Sequence, residues 1–259
     1  MARTEHKFLF LCGLHRSGTS PLFRILRDHP QVSGFRNTGV IEDEGQLLQT
    51  VYPPAKVYGG PGRFGFSPEA HLTESSELVT PENRRRLFEQ WSRHWDLNKP
   101  WLLEKSPPNL IRARFLQALF PDSYFVVILR HPIAVSLATW KWSRTSLLSL
   151  VAHWLRCHEI FEEDRPHLHR VLVFKYEDLI RDTAPLIKQV YQFAGLPPQP
   201  CGPMNPAGNK RYFEMWGKLT EDPTLAPVQR HIIAKYESQA GKFGYTLKPE
   251  TLKQAEAAR

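Results

Sequence analysis

The stretch from Lys7 to Leu26 constrains the fold of this chain more than any other. Lys7-Phe8-Leu9-Phe10-Leu11-Cys12 is apolar after its first residue and too short for a helix, so it predicts a strand buried on both faces. Gly13-Leu14-His15-Arg16-Ser17-Gly18-Thr19-Ser20 follows, and apolar residues then recur at helical spacing at Leu22, Phe23, Ile25 and Leu26. Thr19 or Ser20 is the expected cap of that helix, with Pro21 in its first turn, where a missing N–H does no harm. His29-Pro30 ends it. A buried strand, a glycine-bounded loop and a helix N-terminus make a phosphate-binding context, because loop amides and the helix dipole converge on an anion.

The loop has the length of the GxxxxGK[ST] phosphate pattern, with Thr19 where the lysine should stand. The backbone cradle can be kept, but the lysine that reaches the outer phosphates of a triphosphate is lost. Arg16 supplies a cation from inside the loop, and its planar fork suits bidentate oxyanion binding. Ser17, Thr19 and Ser20 add donors. The pattern suits a phosphate with a less charged leaving partner and counts against ATP or GTP.

Similar apolar runs occur at Trp101-Leu102-Leu103, from Tyr124 to Leu129, and at Val171-Leu172-Val173-Phe174. Between them lie stretches expected to be helical: Arg84 to Trp95, Leu110 to Leu119, Ile133 to Glu163 and Pro185 to Ala194. Strands alternating with helices predict an α/β fold, a central parallel β-sheet flanked by helices in a P-loop-like arrangement. Ligands bind such sheets beyond the carboxyl ends of the strands. The 259 residues fit a single domain, 1–259. Residues 34–77 are rich in glycine, proline and acids around Tyr58-Gly59-Gly60-Pro61-Gly62-Arg63-Phe64-Gly65-Phe66. They are expected to form a substrate lid or wall, the alternative being a surface excursion.

A formal net charge of +8 suits an anionic partner, whether nucleic acid, an acidic membrane or a multiply charged small molecule, and equally suits plain solubility. Cys12, Cys157 and Cys201 are odd in number and far apart, with no CxxC pair. Neither a disulfide framework nor a zinc ribbon is supported, and a reducing, cytoplasmic setting is expected. The run from Phe8 to Cys12 is too short to span a bilayer, and Met1 to Lys7 lacks the apolar core of a signal peptide. No transmembrane segment is expected.

A second anion site is expected where Phe125-Val126-Val127-Ile128-Leu129 runs into Arg130-His131-Pro132 and a helix begins. An ordinary salt bridge is the alternative for Arg130. At this point a resemblance becomes specific. Arg16-Ser17-Gly18-Thr19-Ser20 after a buried strand resembles the 5′-phosphosulfate loop of the sulfotransferases that use 3′-phosphoadenosine-5′-phosphosulfate (PAPS). It is closest to the tyrosylprotein-type and bacterial branches, whose loop cation is arginine. Arg130 resembles the arginine of that family's 3′-phosphate motif. The family's serine eight residues later is replaced by Ala138; Ser136 points about 200° away on a helix, and Thr139 is the better substitute. Val173-Phe174-Lys175-Tyr176-Glu177-Asp178-Leu179 is similar to the strand-end motif whose tyrosine, here Tyr176, lies near the adenine. Asn209-Lys210-Arg211-Tyr212 resembles the late basic loop that closes over the nucleotide, assigning Lys210 and Arg211 to the donor. Lys242-Phe243-Gly244-Tyr245 is similar to the end of the family's last helix.

The resemblance implies sulfuryl transfer from PAPS to an acceptor hydroxyl, leaving adenosine 3′,5′-bisphosphate. Arg16 and the loop amides would stabilise the leaving phosphate. No metal is required, because a sulfuryl group carries less charge than a phosphoryl group. His153, Cys157 and His158 come nearest to metal-ligand spacing and are read as helix packing. An acceptor hydroxyl needs a base. Within Ile41-Glu42-Asp43-Glu44-Gly45, Glu44 ranks first and Glu42 second, against a merely solvated acidic turn. His15 and His131, beside the phosphate motifs, are further candidate bases, and Lys105 resembles the family lysine that stabilises the transferring group. Trp140, Trp142 and Trp154 fit core packing better than an acceptor pocket. A P-loop kinase using Mg·ATP and a non-catalytic polyanion binder are the competing readings; a nucleic-acid partner is not expected. Neither the acceptor nor the oligomeric state is specified.

Overall fold

The computed structural model describes residues 6–204 and 208–252. The start of the polar N-terminal segment and both ends of the expected 1–259 domain lie outside the described residues. Five strands form one parallel sheet: β1 (Lys7–Cys12), β2 (Val32–Gly34), β3 (Trp101–Lys105), β4 (Ser123–Leu129) and β5 (Val171–Lys175), in the order β2-β3-β1-β4-β5. Leu9 pairs with Leu103 on one side and Tyr124 on the other. β1, β3 and β4 occupy the middle and are covered on both faces, which is why they read as unbroken apolar runs.

The helices are α1 (Thr19–Arg27), α2 (Pro81–Ser92), α3 (Ala113–Leu119), α4 (Pro132–Trp140), α5 (Leu147–Asp164), α6 (Tyr176–Arg181), α7 (Thr183–Ala194), α8 (Lys210–Lys218) and α9 (Leu225–Lys242). Several of the expected stretches differ for local reasons. Neither Thr19 nor Ser20 caps α1; Gly18 does, in a left-handed conformation with no side-chain cap. α2 begins earlier than expected because Thr80 Oγ1 accepts the Asn83 N–H at 3.1 Å, and it stops at Ser92, short of Trp95. The stretch from Leu110 to Leu119 divides into a 3₁₀ turn over Pro107–Ile111, led by two prolines, and α3. The stretch from Ile133 to Glu163 is two helices: the polar run 141–146 breaks it, and Ser146 caps α5.

Residues 34–77 hold five short 3₁₀ turns and run along the carboxyl edge of the sheet. Phe64 is fully buried, and Gly65 presses so closely on Cys157 and His153 of α5 that a side chain there has no room. The segment is therefore packed on α5 through Phe64 and Gly65, while Phe66 is 49% exposed. On one side of the sheet Phe8, Phe10, Phe35, Trp91, Trp95 and Phe120 form an aromatic cluster, including a stacked Phe35–Trp95 pair at 4.9 Å. Each such buried ring contributes about 1.5–3 kcal/mol from lost water contact, which holds the strand ends in register. Among the described residues no helix is long and apolar enough to cross a membrane.

Candidate active site

A cavity of about 700 Å³ opens beyond the carboxyl ends of β1, β3 and β4. It is lined by His15, Arg16, Gly18, Thr19 and Ser20 of the phosphate loop, by Glu42 and Glu44, and by Arg130 and Tyr176. A larger hollow of about 940 Å³ lies at the opposite end of the sheet, between Phe8, Phe88 and Phe120, and meets none of the motifs. Parallel sheets present their ligands at the carboxyl edge, so the first cavity is the candidate site.

The phosphate loop is shaped by two glycines. A Cβ on Gly13 (φ 152°) would lie 2.8 Å from the Ile128 carbonyl oxygen of β4. One on Gly18 (φ 96°) would lie 2.5 Å from the Tyr176 ring, so the loop can lie flat on that tyrosine only without a side chain. Arg16 also has a positive φ, 68°, and its side chain is exposed at the cavity. The Ser17 N–H donates to the Leu14 carbonyl at 3.0 Å, while Ser17 Oγ is buried with no partner.

Arg130 ties the loop to the chain's late segment. Its Nη1 donates to the Arg16 carbonyl at 2.7 Å, its Nε to Asn209 Oδ1 at 2.8 Å and its Nη2 to the Gly208 carbonyl. The guanidinium lies 4.3 Å from the centre of the Tyr176 ring. The ordinary salt bridge is not observed: among the described residues no carboxylate pairs with Arg130. All its protein acceptors are uncharged, and Glu177 acts on it only through space and through Asn209.

Besides Ser17, which is buried within the loop, three expected donor residues do not line the cavity. Thr139 is buried in α4, a helix covered almost all round, and does not line the site; Ser136 Oγ is buried and unpartnered on the same helix. Lys210 and Arg211 start α8 with exposed side chains, and Arg211 hydrogen-bonds the hydroxyl of its neighbour Tyr212. Asn209, which precedes them, faces inward to Arg130 and to Glu177.

The acidic cluster is resolved by burial. Glu44 is 7% exposed; its Oε1 lies 3.6 Å from Lys105 Nζ, and its Oε2 accepts from Gln46 Nε2 at 2.6 Å. Burial pushes the Glu44 carboxyl above its ordinary value, against the opposing pull of Lys105. Glu42 is exposed and reaches Lys105 through its backbone, the carbonyl accepting from Nζ at 2.9 Å. Lys105 is 1% exposed and sits behind this turn instead of lining the cavity.

The turn itself is splinted by Glu104, a residue that sequence reasoning passed over. Glu104 Oε1 accepts from the Gly45 N–H at 3.0 Å and Ser106 Oγ at 2.6 Å, and Oε2 accepts from Asn109 Nδ2 at 2.5 Å. Burial pushes its carboxyl up to about 7. The signal was present, since an acid inside an apolar central strand must be hydrogen-bonded. Arg24 and Gln46 also line the cavity and were missed. Arg24 lies on the exposed face of α1, and Gln46 shows no pattern.

Of the two histidines, His15 lines the cavity and is pushed down to about 3 by burial and then by Lys105 and Arg16, so it is neutral. His131 does not reach the cavity: it packs in the interior against Phe213 (4.6 Å) and Tyr245 (5.0 Å) and is removed from the candidate bases. In α5, His153 Nε2 lies 3.4 Å from Cys157 Sγ, and His158 Nδ1 donates to the Trp154 carbonyl at 2.7 Å. Among the described residues no three such side chains are grouped to hold a metal. Trp154 is fully buried and donates to the Arg130 carbonyl at 2.9 Å, and Trp140 packs on the core. Trp142 departs from the core reading: it is 53% exposed and lines the cavity.

The profile of the sulfotransferase family matches residues 9–200. No curated protein sequence matches significantly. Among solved structures, the sulfotransferase domain of the Synechococcus PCC 7002 olefin synthase is 18% identical with a TM-score of 0.56, over 95% of this chain and 98% of that one. A sulfotransferase domain from the curacin biosynthetic pathway is 16% identical with a TM-score of 0.52, over 94% and 99%. A Mycobacterium avium sulfotransferase is 15% identical with a TM-score of 0.50, over 85% and 69%. At these identities the likeness speaks for the fold, whereas the profile spans most of the strand–loop–helix units that build the cavity. The chain belongs to the sulfotransferase family.

Proposed function

We propose that this sulfotransferase takes its sulfuryl group from PAPS and passes it to an acceptor hydroxyl, with Glu44 as the base. The observation that carries this reading is convergence on one cavity: the Arg16 loop, Arg130, Tyr176 and two carboxylates line the same 700 Å³ space. The residues fit the donor. Ser17 Oγ is an unclaimed donor under the loop, and Tyr176, packed by Gly18 and by the Arg130 guanidinium, lines the cavity. PAPS differs from ATP in its second, 3′-phosphate anion. Arg130 can serve it by exchanging neutral carbonyl partners for phosphate oxygens, since charge-assisted bonds are about twice as strong.

In the transfer, the acceptor oxygen attacks sulfur in line, the bond from sulfur to the bridging oxygen breaks, and charge grows on the 5′-phosphate. Arg16 and the loop amides stabilise that charge. Glu44 takes the acceptor proton when ionised, and Lys105 at 3.6 Å favours its ionised form. Arg16, Ser17, Gly18, Thr19, Ser20, Arg130 and Tyr176 hold the donor in this reading, and Glu42 is the fallback base. Thr139, Lys210 and Arg211 do not line the cavity and drop out of the first contact set; Ser17 does not line it either, and is kept for its orphaned hydroxyl within the loop.

The test is calorimetry with adenosine 3′,5′-bisphosphate in metal-free buffer, followed by transfer from labelled PAPS. Saturable binding with little salt dependence is expected. No bisphosphate binding together with tight Mg·ATP binding overturns the donor assignment, and binding that collapses with salt and ignores the 3′-phosphate points to a plain polyanion site.

A further inference from the structure

We infer that the acceptor is an alcohol or phenol with an apolar body, not a sugar; this rests on the sulfuryl-transfer reading of the same cavity. The polar lining of the cavity comes from the phosphate loop, the Glu42–Glu44 turn with Gln46, Arg24, Lys56, Arg130 and Tyr176. Ile41, Leu47, Pro54, Pro61 and Trp142 supply an apolar share, and apart from the indole N–H none of these side chains can hydrogen-bond. Ile41 is 77% and Trp142 53% exposed, among the most exposed large apolar residues described. Scattered exposed apolar residues are ordinary, but two on one cavity, joined by prolines and a leucine, form a continuous wall of the kind that covers a ligand.

The Trp142 main chain is fixed, its backbone N–H donating to the Thr139 carbonyl at 3.2 Å, and its ring lies 6.2 Å from His15, which in turn lies 6.2 Å from buried Phe64. The neutral His15 imidazole therefore adds a further weakly polar surface beside Trp142 in the cavity that Glu44 also lines. A pyranose pressed against this surface would desolvate several hydroxyls without partners, at a cost of about 1–3 kcal/mol each. An alkyl or aryl body loses nothing there, and it directs its single hydroxyl to the carboxylates.

The experiment is calorimetric titration of 4-ethyl-, 4-butyl- and 4-hexylphenol, and separately of glucose and N-acetylglucosamine, into the enzyme with and without saturating adenosine 3′,5′-bisphosphate. Affinity is expected to rise about two- to fourfold per added methylene. Trp142→Ala should flatten that series and weaken hexylphenol about tenfold, Trp142→Phe should retain most of it, and bisphosphate affinity should hold in both. Sugars binding more tightly than the phenols, a series independent of chain length, or an unchanged series in Trp142→Ala each overturns the inference. Failure of the bisphosphate to bind while the phenol series behaves as expected instead strikes the donor reading and leaves the apolar subsite standing.

Discussion

Replacing Glu44 by glutamine separates the chemistry of this site from its stability. Two interactions favour ionised Glu44. The attraction to Lys105 at 3.6 Å is about 4–5 kcal/mol at an effective dielectric near 20. The charge-assisted bond from Gln46 at 2.6 Å adds about 1.5–3 kcal/mol. The carboxyl is nevertheless held above its ordinary value, because burial, helped by repulsion from Glu42, prevails over both. The sign follows by linkage. A raised folded-state value means that protonated Glu44 suits the fold better than ionised Glu44; that contribution is complete below the ordinary value of 4.5 and is lost as pH climbs through the raised one. Glutamine mimics the protonated form. Glu44→Gln should therefore melt at or slightly above the wild-type temperature at neutral pH, while turnover falls about 10²–10⁴-fold for loss of a general base. The wild-type rate should rise with pH along an acid limb above 4.5, and the variant should lack that limb. Thermal denaturation together with steady-state transfer from labelled PAPS reads both quantities. Turnover within about threefold of wild type refutes the base assignment, as does a loss confined to Glu42→Gln. A sharply lower melting temperature refutes the energetic reasoning.

Other perturbations probe the rest of the site. Arg16→Ala removes an exposed loop cation, so transfer should fall at least about 10²-fold with the melting temperature nearly unchanged, and transfer near the wild-type rate would take Arg16 out of the mechanism. Gly18→Ala puts a Cβ 2.5 Å from the Tyr176 ring at a φ of 96°; it should cost at least about 1–2 kcal/mol in urea denaturation and weaken bisphosphate binding about tenfold or more by calorimetry. Burial holds Glu104 up at about 7, so its protonated form lends stability fully below 4.5 and progressively less as pH rises through 7. The difference in unfolding free energy between wild type and Glu104→Gln should therefore change across that window, and a constant difference would show that Glu104 does not titrate there.

Much of the architecture was legible because local chemistry and tertiary role agree. A strand covered on both faces must be apolar throughout, so β1 and β4 announced themselves, and only glycine can occupy the backbone of Gly13 and Gly18 as folded. Helix boundaries were less legible. The break between α4 and α5 turns on the largely polar run 141–146 and a cap at Ser146, between two apolar stretches that read as one helix. β2, three residues long, offered almost no period from which to place it.

The site divides along the same line. Order along the chain was enough to name the strand-loop-helix cradle, Arg130 at a strand end and an acidic turn in the following loop, since each is a contiguous motif with its own backbone requirement. Which carboxylate is buried beside Lys105, whether Thr139 and His131 reach the cavity, and that Trp142 turns out to its rim were decided by packing between segments far apart in sequence. Glu44 becomes the inward acid because Glu104, some sixty residues later, holds the Gly45 N–H at 3.0 Å and sets the turn. Contiguous backbone geometry is written residue by residue in the sequence, but burial, and with it the ionisation of a carboxylate, exists only once distant strands close around it.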